Sequence, residues 1–197
     1  MSIQNNYYNL LMSGNDAAWT GTSWSMEYER VLESTNEHVR KQFASLDDEV
    51  LASLMALPTL FAYEKNVGAA AHVGRIVSIN RRQREFGLTF SLDNAIAPIL
   101  HETFIGLLPA LDIDPKGWEV HRTHWAVKNV DLAEVLRGAG LVAGLSLEPS
   151  RRPPCVFISY SWDSLEHRQW VAQLATSLRQ NGVEVILDQW HVARAWT

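Results

Sequence analysis

The chain has one cysteine, Cys155, in 197 residues. A lone thiol closes no internal disulfide and cannot build a cysteine-based zinc site, which fits a reducing compartment. No apolar run approaches the roughly 20 residues that cross a bilayer. Met1-Ser2-Ile3-Gln4-Asn5-Asn6 lacks the basic stretch and apolar core of a secretion signal, so the expected location is the cytoplasm, away from membranes. Excess basic charge is missing too: net charge is −5 and the isoelectric point near 5.8. That balance argues against a polyanion-binding protein, because phosphate backbones are met by clustered Lys and Arg. Residues 1–150 hold 12 Lys and Arg against 18 Asp and Glu, whereas residues 151–197 hold 5 against 4, the five all arginine.

Tryptophan is abundant, with eight residues, and so much aromatic area points to a core that depends on ring packing. Hydrophobic residues at 47% and charged residues at 20% are ordinary for a folded protein. The length suits one large or two small domains.

Residues 1–25, rich in Asn, Ser, Gly and Thr, read as an irregular lead-in. A helix is expected from about Ser25, on the partial period of Met26, Tyr28, Val31, Leu32, Val39 and Phe43. A second starts after Ser45, which can cap its free amides, and Pro58 stops it. β-branched Val73, Ile76, Val77 and Ile79, a polar turn at Asn80–Arg84, then alternating Phe86, Leu88 and Phe90 predict a β-hairpin. Residues 96–109 read as helix and 118–127 as strand. Asp131 caps a short helix that ends at Gly138 and Gly140. These elements predict an α+β domain over residues 1–148, with a small antiparallel sheet flanked by helices. Position alone suggests a sensor, regulatory or oligomerisation role for it. Pro149, Pro153 and Pro154 mark a linker at 149–154.

Beyond the linker the period changes. Cys155-Val156-Phe157-Ile158 is a short apolar run, as in strands buried on both faces. A polar loop follows, then a helix to about Gln180 with Trp170, Val171, Leu174 and Leu178 on one face. Asn181-Gly182 ends it, and Val183, Val185, Ile186 and Leu187 predict a second strand. Strand, helix and strand at this spacing make a β-α-β unit with parallel strands. Asp188 falls at the carboxyl end of the second strand, where open α/β sheets place functional loops.

These residues resemble the start of a TIR domain and of its relative, the SEFIR domain. Val156-Phe157-Ile158-Ser159-Tyr160-Ser161 is similar to the first-strand motif. Trp170-Val171, Leu174 and Leu178 match the first helix, and Val185-Ile186-Leu187-Asp188-Gln189-Trp190 the second strand. The resemblance covers about residues 153–191 and implies an incomplete α/β module with a flavodoxin-like β-α-β start, spanning residues 155–197. It implies an intracellular signalling domain that works by self-association or by joining a full-length TIR or SEFIR relative, in bacteria often within anti-phage immunity. Many members cleave NAD, which makes a NAD glycohydrolase completed by another chain the alternative. The family's catalytic glutamate lies later in the domain, so no catalytic residue is expected before Thr197, and a resident cofactor is not expected. The resemblance also implies that Ser159, Tyr160, Ser161 and Asp163 border a ligand pocket in an intact domain; with the rest of that pocket beyond the matched segment, strand-end bonding and helix capping are the simpler reading. A fragment of another doubly wound domain, such as a receiver, is disfavoured because Ser159-Tyr160-Ser161 stands where a receiver carries acidic residues. So short a module leaves strand edges and one sheet face bare, and is expected to pack on the preceding domain, self-associate or be poorly ordered.

Four other features carry competing readings. Arg75, Arg81, Arg82 and Arg84 around the hairpin turn make a possible basic contact patch, against the simpler reading of a solvated turn; no stacking aromatics alternate with them as single-strand binders require. His121 and His124 form H-x-x-H, but on a strand they face opposite ways and they lack an obvious carboxylate partner, so metal binding is not expected. His101-Glu102 is not a zinc-protease motif, because Ile105 replaces the second histidine. Gly138, Gly140 and Gly144 follow a helix rather than a strand, unlike a dinucleotide fingerprint.

Overall fold

The computed structural model describes residues 7–142, 155–158, 164–180 and 184–187. The chain divides into two compact units, Met1–Pro149 and Ser150–Thr197.

The first unit is built on six strands: β1 (Tyr8–Ser13), β2 (Ser23–Glu27), β3 (Thr59–Tyr63), β4 (His72–Arg81), β5 (Glu85–Leu92) and β6 (His124–Lys128). Their order across the sheet is β2-β5-β4-β3-β1-β6. β1 and β3 run parallel, from Asn9 opposite Thr59 to Ser13 opposite Tyr63. All other pairs are antiparallel. Helices α1 (Glu37–Phe43), α2 (Asp48–Ala56), α3 (His101–Leu107) and α4 (Leu132–Gly138) complete the unit, with single 3-10 turns at Tyr28–Arg30 and Trp118–His121.

Every residue of β1, β3 and β6 is buried, so these strands carry apolar side chains toward both faces rather than alternating with solvent. Successive side chains divide between two cores. Leu11, Phe61, Tyr63, Trp125 and Val127 point to one, where Val39 and Phe43 of α1 and Leu51 and Leu54 of α2 meet them. Tyr8, Leu10, Met12, Leu60, Ala62 and Ala126 point to the other, against Phe104 of α3 and Leu132 and Leu136 of α4. Trp19, between β1 and β2, anchors the first core. Its ring lies 5.2 Å from Phe61, 5.6 Å from Phe90 and 5.5 Å from Trp24, and its Nε1 donates to the Ala62 carbonyl at 2.8 Å. Burial of so polar an indole needs that partner.

Several expectations change. The supposed lead-in contains β1, which lies inside the sheet. Its Asn9 is wholly buried and fully used: Nδ2 donates to the Leu54 carbonyl at 2.8 Å and Oδ1 accepts from Trp125 Nε1 at 3.0 Å. The helix expected from Ser25 is β2 instead. Leu32 and Ser34, at φ 62° and 58°, have left-handed backbone that no α-helix contains. The first helix starts only after Asn36, whose Oδ1 accepts from the His38 amide. Asp47, not Ser45, caps α2 through the Val50 amide at 2.9 Å. The helix read over 96–109 contracts to α3, because Ile99 pairs with Ala71 as a β-bridge. The strand read over 118–127 begins as a 3-10 turn and becomes β6 only at His124. The sheet is therefore larger than expected and mixed, because β1 and β3 are parallel.

The predicted hairpin is present as β4 and β5, with a bulge between Ile76 and Ser78. Asp131 caps α4 through the Glu134 amide at 2.9 Å. The same helix closes with a Schellman pair: Gly140, at φ 71°, donates to Arg137 and Leu141 donates to Leu136, each at 3.0 Å.

In the second unit β7 (Cys155–Ile158) and β8 (Glu184–Leu187) pair in parallel, Cys155 opposite Glu184 through Ile158 opposite Leu187, with α5 (Leu165–Gln180) between them in sequence. Ser164 Oγ accepts from the His167 amide and caps α5. Val171 and Ala175 are buried, with Ile158 and Leu178 packed against them. The buried stripe is thus turned from the one expected: Trp170 is 58% exposed and Leu174 37%.

Candidate functional site

Ser159, Tyr160, Ser161, Asp163 and Asp188 lie outside the described residues. What is described around them is the parallel β7–β8 pair and the outer surface of α5. There Trp170 stacks on His167, ring centroids 6.0 Å apart, with Leu174 one turn further on. One exposed aromatic and one exposed aliphatic side chain, four residues apart, share that surface.

Two of the four hairpin arginines, Arg81 and Arg82, have side-chain partners among the described residues. Arg81 points to the face of Phe86, which its guanidinium covers at 5.7 Å, and contacts the Leu46 carbonyl and Asp48 Oδ1. Arg82 Nη1 bonds Ser25 Oγ at 3.0 Å and Glu85 Oε1 at 2.8 Å. That contact leads the causes holding the Glu85 carboxyl below its ordinary range. Arg75 neighbours Ile76, which faces the core, and so projects from the opposite face. Arg81 and Arg82 tie the hairpin to α2 and β2, which is structural work.

A different site appears at the β6 edge of the sheet. The loop Leu32–Asn36 runs along that edge: Val31 bridges Trp125 in parallel, and Thr35 Oγ1 accepts from the Val127 amide at 2.9 Å. The edge strand is thereby covered. On the same side, Lys128 ends β6 with its side chain only 4% exposed. Its Nζ donates to the Ser34 carbonyl at 3.0 Å and lies 2.6 Å from Glu119 Oε1. Glu119, on the 3-10 turn Trp118–His121, also accepts from the Asp114 amide through Oε2 at 3.0 Å. His124 is wholly buried. Its Nδ1 lies 2.6 Å from the Arg122 carbonyl, which can only accept, so that nitrogen carries the proton. Its Nε2 is 3.6 Å from Glu119 Oε1.

Electrostatics follow from this packing. Burial pushes the Glu119 carboxyl up, but His124, Lys128 and the Asp114 amide outweigh it and hold the group below its ordinary value. Tyr8, beneath the cluster, donates to the Leu111 carbonyl at 2.7 Å. Burial raises its phenol well above the usual range, and the charges of Glu119 and Asp112 raise it further. Above the buried pair opens a cleft of about 370 Å³, bordered by the 34–36 loop and the 109–114 turn.

The H-x-x-H pair gains one carboxylate in the fold. The fold brings Glu119 to His124 but leaves His121 on the 3-10 turn, and among the described residues no group of three or more His, Cys, Asp or Glu is arranged to hold a metal ion. Glu119 and Lys128 form no motif. Their one signal is a lysine at the inward-facing end of His124-Trp125-Ala126-Val127-Lys128.

No helix among the described residues is long and apolar enough to cross a membrane. No curated protein and no solved structure matches this chain. Residues 154–196 match the family model of the SEFIR domain, so the C-terminal segment carrying β7, α5 and β8 is TIR/SEFIR-like, of a kind associated with signalling and interaction.

Proposed function

We propose that this chain is a signalling and interaction protein of a bacterial-type immune, anti-phage system. Its C-terminal segment associates with like segments, either second copies or a complete TIR/SEFIR domain, and the unit before it acts as the sensor. The family match over residues 154–196 carries this reading. The surface of α5 supports it: Trp170 and Leu174 offer apolar area to a partner, and aromatic side chains dominate interface energetics. The immune setting rests on the family resemblance rather than on any single residue.

Sedimentation velocity over a concentration series tests the association. The intact chain is expected to gain mass with concentration, or on addition of a complete TIR/SEFIR domain, and Trp170→Glu to stay monomeric in both. An intact chain that stays monomeric throughout and ignores the added domain overturns the reading.

A further inference from the structure

We propose that β2 is a strand-addition edge: it takes up an extended segment of a partner protein, antiparallel, with a Lys or Arg of that segment opposite Glu27. The proposal concerns the first unit alone and stands whether or not the C-terminal segment associates.

The two edges of the sheet are treated differently. At β6, Val31 bridges Trp125 and Thr35 Oγ1 takes the Val127 amide, so that edge is covered. At β2 nothing among the described residues does the same. The Phe90 amide donates to the Thr22 carbonyl at 2.9 Å, and the Tyr28 amide to the Arg84 carbonyl at 3.2 Å. Antiparallel pairing alternates along a strand, so Trp24 and Met26 also turn their peptide groups to β5, opposite Leu88 and Phe86. Those of Ser23, Ser25 and Glu27 turn outward, and none of them has a hydrogen-bond partner among the described residues. β2 carries no proline, no lysine and no bulge, the usual devices that blunt an edge. Three outward N–H groups and three outward carbonyls make a template for one more strand.

Side chains decide what fits. Met26 is buried in the first core and Trp24 packs half-buried against it, so the positions of an added strand beside them suit apolar residues. On the other face, Ser25 Oγ accepts from Arg82 Nη1 at 3.0 Å, which suits a small hydroxyl residue opposite. Glu27 is exposed and stands directly across from Glu85, an unfavourable placement of like charges. Arg82 answers Glu85 at 2.8 Å, whereas Glu27 forms no ion pair among the described residues. A cation on the added strand supplies what Glu27 lacks. A second copy does not, because β2 holds neither Lys nor Arg.

Fluorescence anisotropy on the full-length chain, parent and Trp170→Glu alike, tests this. The probe is a fluorescein-labelled, amidated Lys-Val-Thr-Val-Thr peptide, whose Lys falls opposite Glu27 in the antiparallel register. Saturable binding is expected. N-methylation at both threonines, whose amides face β2, is expected to abolish it, and N-methylation at both valines to leave it intact. Ser25→Pro is expected to weaken binding at least tenfold; its nitrogen faces outward, so no bond to β5 is lost. Glu27→Lys, at an exposed position, is expected to reverse the preference in favour of Glu-Val-Thr-Val-Thr. Absence of saturable binding by the parent overturns the proposal. So does equal binding of the threonine-methylated peptide, or a charge preference that Glu27→Lys leaves unchanged. A dimer of Trp170→Glu in sedimentation that Ser25→Pro dissolves, without peptide binding, would assign the edge to a second copy and overturn it too.

Discussion

At the scale of single residues, the buried Glu119–Lys128 contact makes opposite demands on the two partners. Removing the cation strands a buried carboxylate, so Lys128→Met is expected to cost about 3–5 kcal/mol, read as a lower denaturant midpoint with an unchanged slope. The carboxyl is held below its ordinary value of 4.5. A depressed folded value means that Glu119 contributes stability fully above its unfolded value, and loses it as pH falls through the folded one. Unfolding titrations from pH 6 to pH 3 are therefore expected to show a steeper acid loss for the parent than for Glu119→Gln. Asn9 supplies a second case. Asn9→Ala would leave the buried Trp125 indole without its partner, while the Leu54 carbonyl keeps the Leu57 amide. At about 1–3 kcal/mol for a buried donor left unpaired, the variant is expected to show a denaturant midpoint clearly below the parent's.

At the scale of elements, legibility followed burial. The β4–β5 hairpin could be read because Phe86, Leu88 and Phe90 face a core while the residues between them face outward, which keeps the period of two visible. β1 and β3 could not, since apolar side chains on both faces erase that period, and Asn9 disguised β1 as a loop. The 25–35 stretch misled in the other direction: Met26, Tyr28, Val31 and Leu32 approximate helical spacing, but left-handed Leu32 and Ser34 break it. Caps were legible where one acidic side chain preceded the helix, as at Asp131, and ambiguous where Ser45 and Asp47 competed. Asp131→Ala is accordingly expected to cost about 1 kcal/mol, and Ser45→Ala less than Asp47→Ala in the same thermal-melt series. The ion cluster in the cleft was not legible, because residues from Ser34 to Lys128 reach it from separate elements. The C-terminal segment was the most legible part as a family resemblance: Val171 and Leu178 of the expected helix face pack inward, while Trp170 and Leu174 are exposed.

For the molecule as a whole, the described residues form two cores within Met1–Pro149 and a smaller cluster within Ser150–Thr197. The larger unit holds both faces of its sheet under its own helices, so a fragment of residues 1–149 is expected to unfold as one cooperative transition, followed by the fluorescence of its own four tryptophans. Loss of that transition would mean that the second unit is needed to complete the first.

The strand order also dictates when this sheet can be finished. β1 sits between β3 and β6, and its Tyr8 pairs with Lys128. A ribosome delivers the buried Tyr8–Ser13 strand first and its outer neighbour last. At about 5–20 residues per second, the wait between them is roughly 6–25 seconds. During that interval a strand meant to be covered on every side has no β6 to lie against. Its protection falls to whatever holds nascent chains in solution, and a slower message through residues 59–128 would lengthen the exposure.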